Sequence, residues 1–427
     1  MRSRFSDGLG QEAPMTTWPP DACGQLAMRV CIVTLAGREL ASLKAAGAWT
    51  RQDICAHLPG ITRPLLRAAR LLHASAEISN NTQLQTLGVA DGDCIQVVFD
   101  RKAACLVLTA SFDRTAKLWS AESGECLRTF EGHRNGVCSA EFSPDGEFVF
   151  TTSTDHTAKL WSADSGECLR TFPGVSAALS PDGALVITAS GQSDAILWSA
   201  ESGECLRTLR CKGDRVRSVA FSADGAHVIT SAVDYTTELW SVDSGKCLTT
   251  LQGYKDGVSL ALFSPDAALV LTSYDRTTKL WTAASGQCRL TLRGHGLVVC
   301  SAVFSPNSAL VLTASLDHMA KVWSVESGQC LHTLRGHGRW VLSGIFSPDG
   351  ARALTASCDR TAKLWRVDTL DCLWTFDGHE SIVNSATFSP DGRRMLTASN
   401  DRTAKLWCTS SGECISTFVG HRLGVCS

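Results

Sequence analysis

The chain has 427 residues, 40 basic against 42 acidic side chains, a formal net charge of -2 and 44% hydrophobic residues. At about 150 residues per domain this length suggests two or three domains with a core of their own. The balanced charge offers no electrostatic reason to expect nucleic acid or a membrane surface as partner. No run approaches about 18 apolar residues, and the N-terminus lacks the apolar segment of a secretion signal.

Residues 1–27 are polar, with Pro14, Pro19 and Pro20, and read as a disordered segment. From Met28 the character changes. MRVCIVTLAGRELASLK reads as two alternating strands around a Leu-Ala-Gly turn. Residues 50–58 read as a helix with Thr50 as N-cap and Asp53 at N3, and Cys94–Phe99 as a closing strand. This makes 28–101 a small α+β domain, and 102–427 a second one built differently.

That second part is repetitive. Trp119, Trp161, Trp198, Trp240, Trp281, Trp323, Trp365 and Trp407 follow one another at spacings of 42, 37, 42, 41, 42, 42 and 42 residues. The unit 377–418 holds four β-rich runs, IVNSATF, RRMLTAS, TAKLW and CISTF. Turn signals separate them: Ser-Pro-Asp-Gly, Asn-Asp-Arg and Ser-Ser-Gly-Glu. Four strands in about 40 to 45 residues describe a propeller blade, and the 3.6-residue apolar period of a helical solenoid is absent. With its Gly-His pair, Ser-Pro-Asp-Gly turn, Thr-Ala-Ser strand and Asp-x-Thr-Ala-Lys-Leu-Trp segment, the region from 104 resembles the WD-repeat β-propellers. One departure is that no tryptophan here is followed by Asp.

The 19 cysteines include eight at one repeated position, Cys126, Cys168, Cys205, Cys247, Cys288, Cys330, Cys372 and Cys414, and no Cys-x-x-Cys pair. They read as small, buried, reduced thiols on a strand, with no metal, no cofactor and a cytoplasmic location.

Each well-formed repeat carries His, Ser, Asp and Trp at fixed spacing. The sets are His133, Ser153, Asp155, Trp161; His295, Ser315, Asp317, Trp323; His337, Ser357, Asp359, Trp365; and His379, Ser399, Asp401, Trp407. These residue types are also the vocabulary of acyl transfer. Four or five copies fit a structural network better, bonded Trp to Ser to His to Asp, and the resemblance implies that same role. The middle repeats break the pattern. Repeat 173–209 lacks the Gly-His pair and has Gln192 for Asp. Repeat 210–251 has Lys212 and Ala232 at the His and Ser positions. Repeat 252–292 has Tyr254 for His and is one residue short.

Seven repeats are complete, and residues 104–130 supply three strands of another blade with Ser111, Asp113 and Trp119. Two segments compete for its missing strand. VGHRLGVCS (419–427) would bring His421 to that set and close an eight-bladed ring, whereas Cys94–Phe99 aligns with a first strand at an offset of 42. The chain stops after Gly-Val-Cys-Ser, where other repeats continue for three more residues of the first strand, which suggests a truncated product.

Residues 28–99 resemble ubiquitin-like (β-grasp) domains through the Met28 strand, Thr34-Leu35-Ala36-Gly37, Arg70-Leu71-Leu72-His73 and Leu87-Gly88-Val89-Ala90-Asp91-Gly92-Asp93. That resemblance implies an apolar docking patch at Leu35, Leu72 and Val98. On the propeller, residues next to the repeated Asp and before the first strand are free of structural duty. Trp340, Arg339, Arg360 and Arg402 are expected to form one patch for an acidic peptide, with Arg114 and Arg276 at equivalent positions. No phosphate loop or metal cluster is present. The expected function is a non-catalytic scaffold or adaptor: a monomeric propeller binding proteins, its first domain docking a second partner such as a ubiquitin-system component, with no nucleic acid and no membrane. The alternative is the truncated sensor array of a larger incompatibility-type signalling NTPase.

Overall fold

A computed structural model describes residues 106–427 apart from 235 and 252–259, and, nearer the N-terminus, the backbone of five strands. The chain divides into two compact units, 1–103 and 104–427.

In the first unit the strands are β1 (Ala27–Thr34), β2 (Glu39–Ala46), β3 (Ala69–His73), β4 (Ala76–Glu77) and β5 (Cys94–Phe99). They form one sheet in the order β2-β1-β5-β3-β4. The neighbours β1 and β5 run parallel, from Cys31 opposite Cys94 to Thr34 opposite Val97, and the other pairs are antiparallel. The helix expected at 50–58, and Leu35, lie outside the described residues. Leu72 and Val98 fall on β3 and β5.

The second unit is a ring of four-stranded antiparallel sheets. Its seven complete blades follow one plan, and blade eight (Val383–Phe388, Arg394–Ser399, Thr403–Cys408, Cys414–Val419) is typical. Alternation sets which side of a strand is buried. In Thr403–Cys408 the side chains of Ala404 and Leu406 are buried while Thr403 and Lys405 are partly exposed. The turn after the first strand is built by its own residues. Ser389 donates to Asp391, and Gly392, at φ 66°, returns its N–H to the Ser389 carbonyl at 2.8 Å.

The core lies between blades. Leu354, Ala356 and Phe376 of blade seven pack with Val383, Met395 and Trp407 of blade eight. First strands of neighbouring blades touch, and in blades six and seven Ser301 Oγ bonds the Gly344 carbonyl at 3.4 Å, so these strands are innermost. The fourth strands form the rim. There the repeated cysteines are exposed, except Cys247, which is half-buried. The expectation of buried thiols is corrected: a rim strand has a sheet neighbour on one side only, and in Cys414–Val419 Phe418 alone is buried.

Blade one settles which segment closes the ring. Its strands β6 (Leu106–Ala110), β7 (Thr115–Ser120) and β8 (Cys126–Glu131) receive residues 424–427 as their inner neighbour. Ala110 N–H donates to the Ser427 carbonyl and Cys426 N–H to the Ala110 carbonyl, both at 2.8 Å. Cys94–Phe99 is used in the first unit instead. The seam repeats the geometry of an ordinary blade junction. Val425 N–H bonds the Ser399 carbonyl as Val137 N–H bonds that of Ser111, each at 2.9 Å. The propeller has eight blades.

Candidate functional site

Because the strands of a blade alternate in direction, two kinds of connection emerge on one face. These are the Gly-His segment that enters each blade and the hairpin between its second and third strands. The candidate residues cluster here, above a buried hydrogen-bonded relay.

The relay differs from the expected order. In blade two the Trp161 indole N–H donates to Thr151 Oγ1 at 2.8 Å, Thr151 Oγ1 bonds His133 Nε2 at 2.8 Å, and His133 Nδ1 bonds Asp155 Oδ2 at 2.9 Å. The same wire runs Trp323–Thr313–His295–Asp317, Trp365–Thr355–His337–Asp359 and Trp407–Thr397–His379–Asp401. In blade one it crosses the seam as Trp119–Thr109–His421–Asp113. The link is therefore a threonine, and the expected Trp-to-Ser-to-His order is corrected. Ser153 Oγ instead donates to the Asn135 and Gly136 carbonyls and accepts the Asp155 N–H, tying the hairpin to the entering loop. Ser111, Ser315, Ser357 and Ser399 do the same work.

The wire has a direction. The indole N–H can only donate, so the Thr hydroxyl has its own proton free for His Nε2. When that proton goes to Nε2 the imidazole is neutral with its own proton on Nδ1, facing the carboxylate; the Lys carbonyl 3.3 to 3.5 Å from each Thr Oγ1 is the hydroxyl's other acceptor. Burial agrees: it holds His133, His295, His379 and His421 below the usual histidine range, against the opposing pull of their Asp partners. For Asp113 burial alone would raise the carboxyl, but hydrogen bonds from Thr115, the Arg422 N–H and His421 outweigh it and bring it to about 2. Asp155, Asp317, Asp359 and Asp401 are lowered in the same way. Every polar atom of the relay is thus committed inward, and it offers no exposed nucleophile.

The Gly of each Gly-His pair is explained by the same wire. Gly132, Gly294, Gly336 and Gly420 have φ between 147° and 154°, and a Cβ there would meet the underlying Trp ring at 3.2 to 3.3 Å. Glycine lets the chain cross the indole closely enough for the next residue, His, to reach the threonine.

The broken repeats keep only part of this. Trp198 still donates to Thr188 at 2.9 Å but is only partly buried, with no Gly-His segment above it. In blade four Lys212 is exposed, and the Cys211 thiol approaches Thr230 Oγ1 at 3.5 Å beside the Trp240 bond. Burial pushes that thiol up to about 12. Tyr254 lies outside the described residues.

Above the relay, Arg114, His156, His318, Arg360 and Arg402 follow the Asp and adopt left-handed φ values of 63° to 75°. All five side chains face solvent. Arg276 departs from this set, and its equivalence is corrected. Blade five's hairpin is one residue shorter, pairing Tyr274 with Thr277, so Asp275 (φ 49°) takes the left-handed position and lies 3.9 Å from the Arg276 guanidinium. Trp340 is 50% exposed while its carbonyl accepts the Cys358 N–H at 2.9 Å, which fixes its place at the start of blade seven. Arg339 is exposed beside it, its carbonyl held by Ser357.

One contact had no counterpart in the sequence reading. The third residue of several rim strands reaches the next blade: Arg128 Nε bonds the Asp164 carbonyl at 2.8 Å, Arg170 Nη2 that of Glu201 at 2.7 Å, and Trp374 covers Gly412. The recurrent Cys-Leu-Arg-Thr runs carried that signal. Among the described residues no group of three or more His, Cys, Asp or Glu could hold a metal ion, and no helix is long and apolar enough to cross a membrane.

Comparison with known proteins follows the same lines. The family description "IFT122 first beta-propeller" matches residues 93–344, and "WD domain, G-beta repeat" matches 328–366 and 370–408. "WD40 repeat-containing protein HOS15" of Arabidopsis thaliana is 56% identical over 41 residues, 10% of this chain and 7% of that protein. "Dynein assembly factor with WD repeat domains 1" of Danio rerio is 46% identical over 54 residues, 12% and 13% of the two chains. "F-box-like/WD repeat-containing protein TBL1X" of Mus musculus is 44% identical over 43 residues, 10% and 8%. The matched segments span only about a tenth of these relatives, the length of a repeat or slightly more. The broader match takes in more than half of the sequence and covers the ring as far as the first strand of blade seven, and the chain belongs to the WD-repeat β-propellers, in the family described as IFT122 first beta-propeller.

Proposed function

We propose that this chain is a non-catalytic protein-interaction scaffold whose propeller holds a protein or peptide partner on the face carrying Trp340. The observation that carries the reading is the division of labour on that face. The relay residues are buried and mutually bonded, whereas Trp340, Arg339, Arg360 and Arg402 project outward and are not part of it. A fixed scaffold with variable side chains on its connections suits recognition. The relatives point the same way, since an assembly factor is among them by name.

The first unit is read as a ubiquitin-like domain that docks a second partner through Leu35, Leu72 and Val98. Its support is the mixed sheet, with β1 and β5 parallel at the centre. The location is read as cytoplasmic, in keeping with thiols that are free throughout the described residues.

The test is affinity capture followed by mass spectrometry. It compares the full chain, the Trp340→Ala variant and a Leu72→Ala/Val98→Ala variant. Separate sets of partners lost from the two variants support a two-surface adaptor. Trp340→Ala is expected to leave the melting temperature nearly unchanged, and a large drop would show that the indole serves the fold.

A further inference from the structure

Resting on the reading of this face as a partner site, we propose that the arc from blade six through blades seven and eight to blade one docks a peptide segment whose apolar side chains are framed by acidic ones. The residue just before the first strand of a blade lies at the inner edge of the face. At that position blades six, seven and eight carry Val298, Trp340 and Ile382, whose carbonyls receive the N–H groups of Leu316, Cys358 and Asn400 in one repeated bond of 2.9 Å. Blade one has Gly424 at that position, its carbonyl receiving the Phe112 N–H at 3.0 Å, and extends the apolar surface with Leu423, one residue earlier, and Phe112 on its hairpin, which are 53% and 47% exposed. Leu297 stands beside Val298. Blade two has Asn135 and Gly136 in these places, which ends the series on that side.

The outer edge of the same arc is basic. Arg360, Arg402 and Arg114 stand at the left-handed hairpin positions of blades seven, eight and one, and Arg339 and Arg422 follow the Gly-His segments of blades seven and one. Among the described residues no hydrogen bond or ion pair holds the guanidinium of Arg114, Arg360, Arg402 or Arg422. The exposed acids around these loops are Glu131, which lines a cavity with Arg114 and Arg422, and Asp377 and Glu380 of the segment entering blade eight. The relay carboxylates beneath, Asp113, Asp359 and Asp401, are saturated with hydrogen bonds. A ligand fitting this surface places apolar groups toward the channel and carboxylates toward the rim. Exposed apolar residues gathered with arginine and tryptophan are the composition of a protein-binding hot spot. The apolar inner edge disfavours a uniformly charged phosphate backbone.

The experiment pans a random displayed-peptide library against the full chain and measures the enriched peptides by fluorescence anisotropy. Peptides with apolar residues next to Asp or Glu are expected. Trp340→Ala, and separately Arg360→Glu with Arg402→Glu, should each weaken them more than tenfold. Arg134→Ala in blade two should leave them unchanged, with all melting temperatures preserved. Enriched peptides that ignore the arc variants overturn the proposal and leave the scaffold reading standing. No enrichment overturns it as well, and if affinity capture also yields nothing specific, the scaffold reading fails with it. A labelled single-stranded RNA that outcompetes every peptide at the arc would overturn it in favour of nucleic acid.

Discussion

A threonine hydroxyl is the joint of each relay, because it alone touches both the tryptophan and the histidine. In blade seven Thr355 Oγ1 accepts from Trp365 and bonds His337 Nε2, at 2.9 and 2.8 Å. Thr355→Val keeps the shape and removes the joint, leaving a buried N–H and a buried ring nitrogen unpaired. Each such group costs about 1–3 kcal/mol. Ser357→Ala removes bonds to the Arg339 carbonyl and the Asp359 N–H at the edge of the loop, where water can replace them more easily. Urea unfolding of the two variants is expected to rank Thr355→Val as the more damaging, and the reverse order would restore the serine to the wire. The sequence could not choose between them. Thr355 and Ser357 are two apart on one strand and share a face, so the His, Asp and Trp spacings suit either. The pairing register decides: Trp365 lies opposite Ala353, and Thr355 is its next neighbour on that face.

At the scale of the blade, the strands and turns were legible because each is encoded locally. IVNSATF, RRMLTAS, TAKLW and CISTF in 377–418 are the four strands of blade eight within a residue or two at each end. Burial at the rim was not legible, since Cys414 resembles a core residue in its flanking pattern and is exposed only because its strand ends the sheet. The reach of Arg128 and Arg170 to the next blade was hidden for a similar reason, since it depends on the stacking of separate sheets. Blades three and four keep the Trp-to-Thr bond and lack the histidine, so their entering loops are held by fewer buried bonds. Local opening should follow that loss. Native-state hydrogen exchange is expected to be faster in Leu185–Ala189 and His227–Ala232 than in the equivalent strands Arg352–Ser357 and Arg394–Ser399. Equal protection would mean that packing between blades, rather than the relay, limits opening.

For the whole molecule the relays act together as a pH dependence. Four histidines, His133, His295, His379 and His421, are held neutral in the fold by burial. The unfolded chain takes up protons near the ordinary histidine value of about 6.5, and the folded ring takes them up only at lower pH. Stability is therefore steady at neutral pH and declines as the pH falls below about 6.5. Each histidine contributes a slope of up to about 1.4 kcal/mol per pH unit until its own folded value is reached. The relay carboxylates act in the same direction at lower pH: Asp113, at about 2, stabilises the fold above the usual carboxylate range and loses that contribution as the pH falls through 2. Urea midpoints measured from pH 7.5 down to 5 are expected to fall throughout the lower half of that range. A flat profile would place the histidines outside the linkage.

The seam is where local and global stability meet. Sequence alone left two segments competing to close the ring, since Cys94–Phe99 and residues 419–427 both carry a first-strand pattern. The structure uses the second because it alone also brings a histidine to Asp113. His421→Ala and His379→Ala remove the same group from the same kind of relay, so their local cost should match at about 1–3 kcal/mol. Their consequences should differ. Blade eight's inner strand, Val383–Phe388, is paired along its length with Arg394–Ser399, while blade one's inner strand is held by a single bridge and a few backbone bonds around Val425. Losing His421 also frees the segment that carries that strand, and an opened ring exposes two sheet edges at once. Hydrogen exchange at Leu106–Ala110 is therefore expected to rise strongly in His421→Ala, with a broadened urea transition, whereas His379→Ala should lower the midpoint and keep the transition sharp. Identical behaviour of the two variants would show that the ring is closed by the packing of Trp119 and Phe418 across the seam, with the relay a minor contributor there.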